Sequence, residues 1–140
     1  MYGNYRVSKK LIGVLVLFAI AALVASCGGA GDTGLRTVEA TEAAALLDEP
    51  PAGLVVLDVR TPDEFNAGHL EGAEMIDFYR PDFADRIAEL ERDTPYLLYC
   101  RSGNRSGSTL ELMEDLGFTD VTEVDGGILA WEASGLPVLG

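Results

Sequence analysis

A parallel α/β sheet covered by helices on both faces is the fold class this chain predicts. Three observations point to it. Continuous apolar runs of strand length lie at residues 54–59 and 96–100, as strands buried on both faces show, and residues 121–124 read as a further short strand. Stretches with helical spacing lie between them. Glycine or proline punctuates most of the junctions. Strands alternating with short helices build βαβ units and hence a parallel sheet.

Taken in order, residues 37–39 read as a short strand. Thr41 is placed to cap a helix over residues 42–47, which Pro50 and Pro51 end. The run 54–59 is a buried strand. Thr61, Pro62 and Glu64 then form a cap, a proline at the first helical position and the partner of a capping box. The short helix they start is stopped by Gly68. Residues 73–77 read as a strand. Pro81 opens a helix whose Phe83, Ile87 and Leu90 share one face. Residues 96–100 are a buried strand that runs into the polar turn Arg101-Ser102-Gly103-Asn104-Arg105-Ser106. A helix over residues 107–116 follows, with Leu110, Met113 and Leu116 on one side and Gly117 as its stop. Residues 121–124 make the last strand, Gly126 and Gly127 break the chain, and residues 128–133 form a closing helix before Gly135-Leu136-Pro137. Trp131 belongs to the core.

The N-terminus has a different character. Arg6, Lys9 and Lys10 precede an apolar run over residues 11–25, a pattern that reads as a secretory signal. A permanent span usually needs about 20 apolar residues, so anchoring by this run itself is the weaker reading. Val24-Ala25-Ser26-Cys27 resembles the lipobox of bacterial lipoproteins. The resemblance implies cleavage after residue 26 and lipidation of Cys27 at its sulfur and new amine. Buried acyl chains contribute about 0.8 kcal/mol per methylene, enough when several are attached to hold a protein on a membrane. The expected organisation is a signal at 1–26, a glycine-rich tether at 27–35 and one domain at 36–140. The expected location is extracytoplasmic, on the cell envelope, through this lipid anchor.

Without the signal the chain keeps seven arginines and 23 carboxylates, a net charge of −16. Such a surface excludes nucleic acid as a partner. Cys27 and Cys100 are the only cysteines. With Cys27 lipidated, Cys100 has no disulfide partner, and no resolving cysteine for thiol exchange. One free thiol and one histidine, His69, cannot complete a zinc site. No metal or other cofactor is implied.

Cys100 is the residue that carries chemistry. It sits at the carboxyl end of a strand, where open α/β sheets bind ligands. The turn after it can aim several N–H groups at one point, and the following helix start adds positive potential there. Thiols so placed ionise at a pKa of roughly 3.5–7.5, against about 8.5 when free. Arg101 and Arg105 can dock an anion beside it. Gly103 lets the backbone curl tightly, and Ser102, Asn104 and Ser106 can brace the turn or cap the helix. Asp58 ends a central strand and is placed to pair with an arginine, Arg60 or Arg105.

Three ordered segments resemble the rhodanese family. They are Leu57-Asp58-Val59-Arg60-Thr61-Pro62-Asp63-Glu64-Phe65 with Gly68-His69-Leu70-Glu71-Gly72-Ala73, then residues 99–106, then Asp125-Gly126-Gly127-Ile128-Leu129-Ala130-Trp131 with Gly135-Leu136-Pro137-Val138. The resemblance implies a rhodanese-like α/β fold and sulfur transfer. Cys100 would take sulfane sulfur from a small anionic donor such as thiosulfate, hold it as a persulfide and pass it to a thiol or cyanide-like acceptor. A redox or sulfur-carrier protein is the protein partner such a thiol would serve. In the family motif the histidine after the glycine supports a loop, so His69 is not expected in catalysis.

Two other readings compete. Cysteine phosphatases have His-Cys, five residues, then Arg; here Tyr99 replaces the histidine and only four residues separate Cys100 from Arg105. A persulfide carrier or sensor module would share the whole loop. Turnover with small acceptors distinguishes an enzyme from such a carrier.

Overall fold

The computed structural model describes residues 34–140. The expected signal, Cys27 and all but the end of the tether lie outside the described residues. Five strands form one parallel sheet: β1 (Leu35–Val38), β2 (Val55–Asp58), β3 (Ala73–Met75), β4 (Tyr96–Tyr99) and β5 (Val121–Val124). Their order across the sheet is β1-β5-β4-β2-β3. Five helices connect and cover them: α1 (Ala40–Asp48), α2 (Pro62–Ala67), α3 (Phe83–Ala88), α4 (Asn104–Asp115) and α5 (Gly127–Ala133).

Strand geometry explains why the runs are continuously apolar. Successive side chains point to opposite faces. On β4, Tyr96 and Leu98, with Cys100 beyond, face a core built with Ile87 of α3 and Met113 of α4. Leu97 and Tyr99 face the opposite core, built with Ala40 and Ala43 of α1 and Ile128 and Trp131 of α5. The sheet is therefore covered on both faces, as the sequence predicts. Trp131 is buried, and its indole N–H donates to the Pro137 carbonyl at 2.9 Å.

Several boundaries differ from expectation, each for a packing reason. β1 begins at Leu35, inside the segment expected as tether, because residues 35–38 pair with 121–124 of β5. α1 begins at Ala40 with Glu39 at its cap position, so Thr41 is an exposed first-turn residue rather than the cap. Ala40 and Ala43 must both meet the sheet, and only the earlier start puts them there. α3 starts at Phe83 and ends before Leu90, which still packs on the core. α4 starts three residues early, at Asn104, which draws Arg105 and Ser106 into its first turn.

α2 follows the expected grammar closely. Thr61 accepts from the Glu64 N–H at 3.3 Å, and Glu64 accepts from the Thr61 N–H at 3.0 Å. His69 lies just beyond it and supports the loop: its ring stacks on Phe65 with centroids 4.0 Å apart, and its backbone pairs with Leu139.

Gly127 is the tightest backbone approach in the fold. Its φ is +59°, and a Cβ there would press on the Cys100 carbonyl oxygen and lie 2.7 Å from the Arg101 carbonyl carbon. Gly127→Ala combines left-handed strain with a backbone clash, together about 3 kcal/mol. Thermal unfolding should show a midpoint lowered by roughly 10 °C or more; an unchanged midpoint would mean that α5 can move away from the loop.

Candidate active site

β4 delivers Cys100 to the carboxyl edge of the sheet, and the chain must turn there to enter α4. Gly103 makes that turn with φ +95° and ψ −21°. In this left-handed conformation an L side chain is strained, and a Cβ would also meet the Gly126 nitrogen at 3.4 Å. Residues 100–103 thus form a short loop that closes on the Cys100 sulfur.

The loop is held from outside by α5. The Ile128 N–H donates to the Cys100 carbonyl at 2.9 Å, and the Leu129 N–H donates to the Arg101 carbonyl at 3.1 Å. These carbonyls are occupied, and the N–H groups of the loop serve the sulfur. Gly103 N–H donates to Cys100 Sγ at 3.1 Å, and Ser106 Oγ lies 3.3 Å from it. Burial pushes the Cys100 thiol up. The Ser106 hydroxyl and the N–H groups of Ser106, Ser102 and Gly103 outweigh burial and hold it below the ordinary thiol value. The twelve-residue α4 adds the positive end of its dipole at the same place. Cys100 is 1 % exposed and makes no disulfide among the described residues. The arrangement favours negative charge on the Cys100 sulfur, which is the form a nucleophilic thiol needs.

The two arginines expected beside the thiol separate. Arg105 turns to α2, where its Nη1 donates to Glu64 Oε2 at 2.8 Å and its Nη2 to Glu64 Oε1 at 2.7 Å. The Tyr79 ring lies 5.5 Å from the same guanidinium. Arg101 is exposed and makes no ion pair among the described residues. It shares a pocket of about 270 Å³ with Arg60, Glu64, Gly68, Leu129 and Glu132. Arg101, not Arg105, is therefore the arginine open to an incoming anion.

Asp58 selects Arg60 of the two candidate partners. Arg60 Nε donates to Oδ1 and Oδ2 at 3.0 and 2.9 Å, and Nη2 donates to Oδ2 at 2.7 Å. Nη2 also donates to the Gly68 carbonyl at 2.6 Å. Asp58 is fully buried and Arg60 is 4 % exposed. The pair ties β2 to the loop after α2 and does not touch the sulfur. Ser102 contributes its backbone N–H to the sulfur, whereas the Asn104 side chain caps nothing. Ser106 alone among the polar side chains of the turn reaches the sulfur.

Two carboxylates at the site escaped the sequence reading. Glu64 was legible as a capping-box residue, and nothing local marked it as the partner of a residue 41 positions away. Glu123 is 5 % exposed and lies 2.6 Å from Ser106 Oγ. Its signal was a charged residue inside a run otherwise fit for a buried strand.

Glu64 titrates in a way that can be measured. Its hydrogen bonds from Arg105, aided by those from Thr61 and opposed by burial, depress its pKa to about 2. A depressed carboxyl stabilises the fold above its ordinary value and loses that contribution as pH falls toward the folded value. The stability advantage over Glu64→Gln should be constant above about pH 5.5 and shrink steadily from about pH 5 to pH 2. Urea midpoints of the two proteins across this range check it; a pH-independent difference would mean that the pair does not govern Glu64.

The geometry now stands beside known proteins. The profile of the family described as rhodanese-like domain matches residues 39–134. The thiosulfate sulfurtransferase GlpE of Pseudomonas putida is 42 % identical over 82 residues, 59 % of this chain and 73 % of that one. GlpE of Pseudoalteromonas translucida is 35 % identical over 81 residues, 58 % of this chain and 75 % of its own. A rhodanese-related protein of known structure from Thermoplasma volcanium superposes with a TM-score of 0.64 at 31 % identity, covering 74 % of this chain and 97 % of its own. With five parallel strands, a thiol in a tight loop before α4 and a profile match from residue 39 to residue 134, this chain is a member of the rhodanese-like domain family.

Proposed function

We propose that this chain is a membrane-tethered, extracytoplasmic sulfurtransferase that works through a Cys100 persulfide. The observation that carries the reading is the Cys100 sulfur enclosed by the Gly103 N–H and the Ser106 hydroxyl at the start of α4. The named sulfurtransferase relatives support the reaction class.

Each step follows from the groups in place. The Cys100 thiolate attacks the outer sulfur of thiosulfate, the donor's S–S bond breaks, and sulfite leaves with the bonding pair. The new terminal sulfur of the persulfide is anionic, and the loop N–H groups around Cys100 Sγ are the donors proposed to meet its charge. One such donor is worth roughly 2.7–4 kcal/mol in related oxyanion sites. A thiol or cyanide then attacks the terminal sulfur and releases the Cys100 thiolate. Arg101 is the docking cation for the donor. A phosphatase reading needs a free arginine to clasp phosphate, and Arg105 is instead clasped by Glu64.

Incubating the purified protein with thiosulfate should add one sulfur atom at Cys100, visible by intact mass and lost on adding cyanide. Cys100→Ser should fold and take up no sulfur; loading in that variant would end the persulfide mechanism. Arg101→Ala removes one charge-assisted contact, so the donor KM should rise by roughly tenfold with kcat little changed. An unchanged KM would assign donor docking elsewhere. Tethering through Cys27 predicts that Cys27→Ser is released from membranes on fractionation, and membrane retention of that variant would remove the lipid anchor.

A further inference from the structure

Two buried carboxylates sit at the carboxyl edge of the sheet, and only one of them is neutralised. Asp58 is paired with Arg60. Glu123 makes no ion pair among the described residues, and its partners are hydroxyls. Thr37 Oγ1 donates to Oε2 at 2.7 Å, and Ser106 Oγ lies 2.6 Å from Oε1. Ser106 itself is fully buried between Glu123 and Cys100.

The hydroxyl of Ser106 is oversubscribed. Its oxygen is within reach of Glu123 Oε1 at 2.6 Å, Cys100 Sγ at 3.3 Å and the Gly103 carbonyl at 3.2 Å, yet it carries one proton. An ionised Glu123 at the shortest distance takes that proton and leaves a Ser106 lone pair facing the sulfur. A thiol can donate into that lone pair, whereas a thiolate needs the proton back. Two anions one hydroxyl apart in a buried site also repel one another.

We propose that Glu123 accepts the Cys100 thiol proton through Ser106, acting as a positioning residue that sets when the thiolate exists. The Cys100 S–H bond breaks as its proton passes to Ser106 Oγ. The Ser106 O–H bond breaks as its own proton passes to Glu123 Oε1. A thiol and a carboxylate become a thiolate and a carboxylic acid, with no change in total charge and no redox partner. Ser106 remains a hydroxyl throughout and ends by donating to the thiolate.

From α4, Arg105 senses the Cys100 charge but is held by Glu64 of α2, with Tyr79 beyond it. Arg101 on the loop is exposed, and Arg36 of β1 lies 3.9 Å from Asp120. Gly107 presents no side chain to Glu123, and α5 meets the loop through backbone N–H groups.

The inference rests on Cys100 being the nucleophile, but its test needs no sulfur donor. The alkylation rate by iodoacetamide would be followed against pH, read at Cys100 by peptide mass spectrometry so that Cys27 does not contribute. The native protein should show two rises, one when the pair loses its first shared proton and one when it loses the second. Glu123→Gln should show a single rise. Thr37→Val, at an exposed position of β1, withdraws a donor from the carboxylate and should raise the lower plateau severalfold. A single rise in the native protein, or two rises persisting in Glu123→Gln, would overturn the proposal. Should Glu123→Gln fail to fold by Trp131 fluorescence, an unchanged lower plateau in Thr37→Val would overturn it instead. Two rises without sulfur loading would count against the sulfurtransferase reading alone.

Discussion

The carbonyls of Cys100 and Arg101 receive the Ile128 and Leu129 N–H groups, and the site depends on that contact. A loop of four residues has too few groups to hold itself open around a sulfur atom. Here its outer edge is bonded to the first turn of another helix, which leaves its inner N–H groups committed to the thiol. The contact is possible only because Gly127 brings no side chain between α5 and the loop. Trp131, one turn along α5, fixes the helix in the core through Ala40, Ala43 and Leu97. The core on one face of the sheet therefore sets the geometry of a thiol whose side chain belongs to the core on the other face.

The fold was legible where one physical signal acted alone. Continuous apolar runs marked β2 and β4, because a strand covered on both faces has little polar side to display. The capping box marked the start of α2 to the residue. Prediction failed where tertiary contact overrode local grammar. Thr41 is a good cap by its own chemistry, yet Ala40 and Ala43 had to reach the sheet and the helix began earlier. α4 also started before its expected first residue, because the chain turns left-handed at Gly103 and is helical from Asn104 onward.

The site divides in the same way. Cys100, Gly103 and Ser106 lie within one short turn, so their convergence could be read from order and spacing. The partners that set their charge come from far along the chain. Glu64 takes Arg105, and Glu123 reaches Ser106 across the gap between β5 and α4. Sequence order says which side chains can ionise; the pairing of those charges depends on which strand ends the sheet places side by side.

The Glu64–Arg105 pair has a consequence for diffusion. A bidentate carboxylate engages Arg105, a cation that feels the Cys100 charge, on a chain whose formal net charge is −13. Any anion therefore approaches the thiol through a repulsive field, with the exposed Arg101 and the N–H groups of the loop as the opposing positive groups. Dissolved salt screens such a field over roughly 10 Å at 0.1 M. Added salt should therefore speed the encounter of this thiol with anions, the reverse of the electrostatic steering by which many enzymes gather charged substrates.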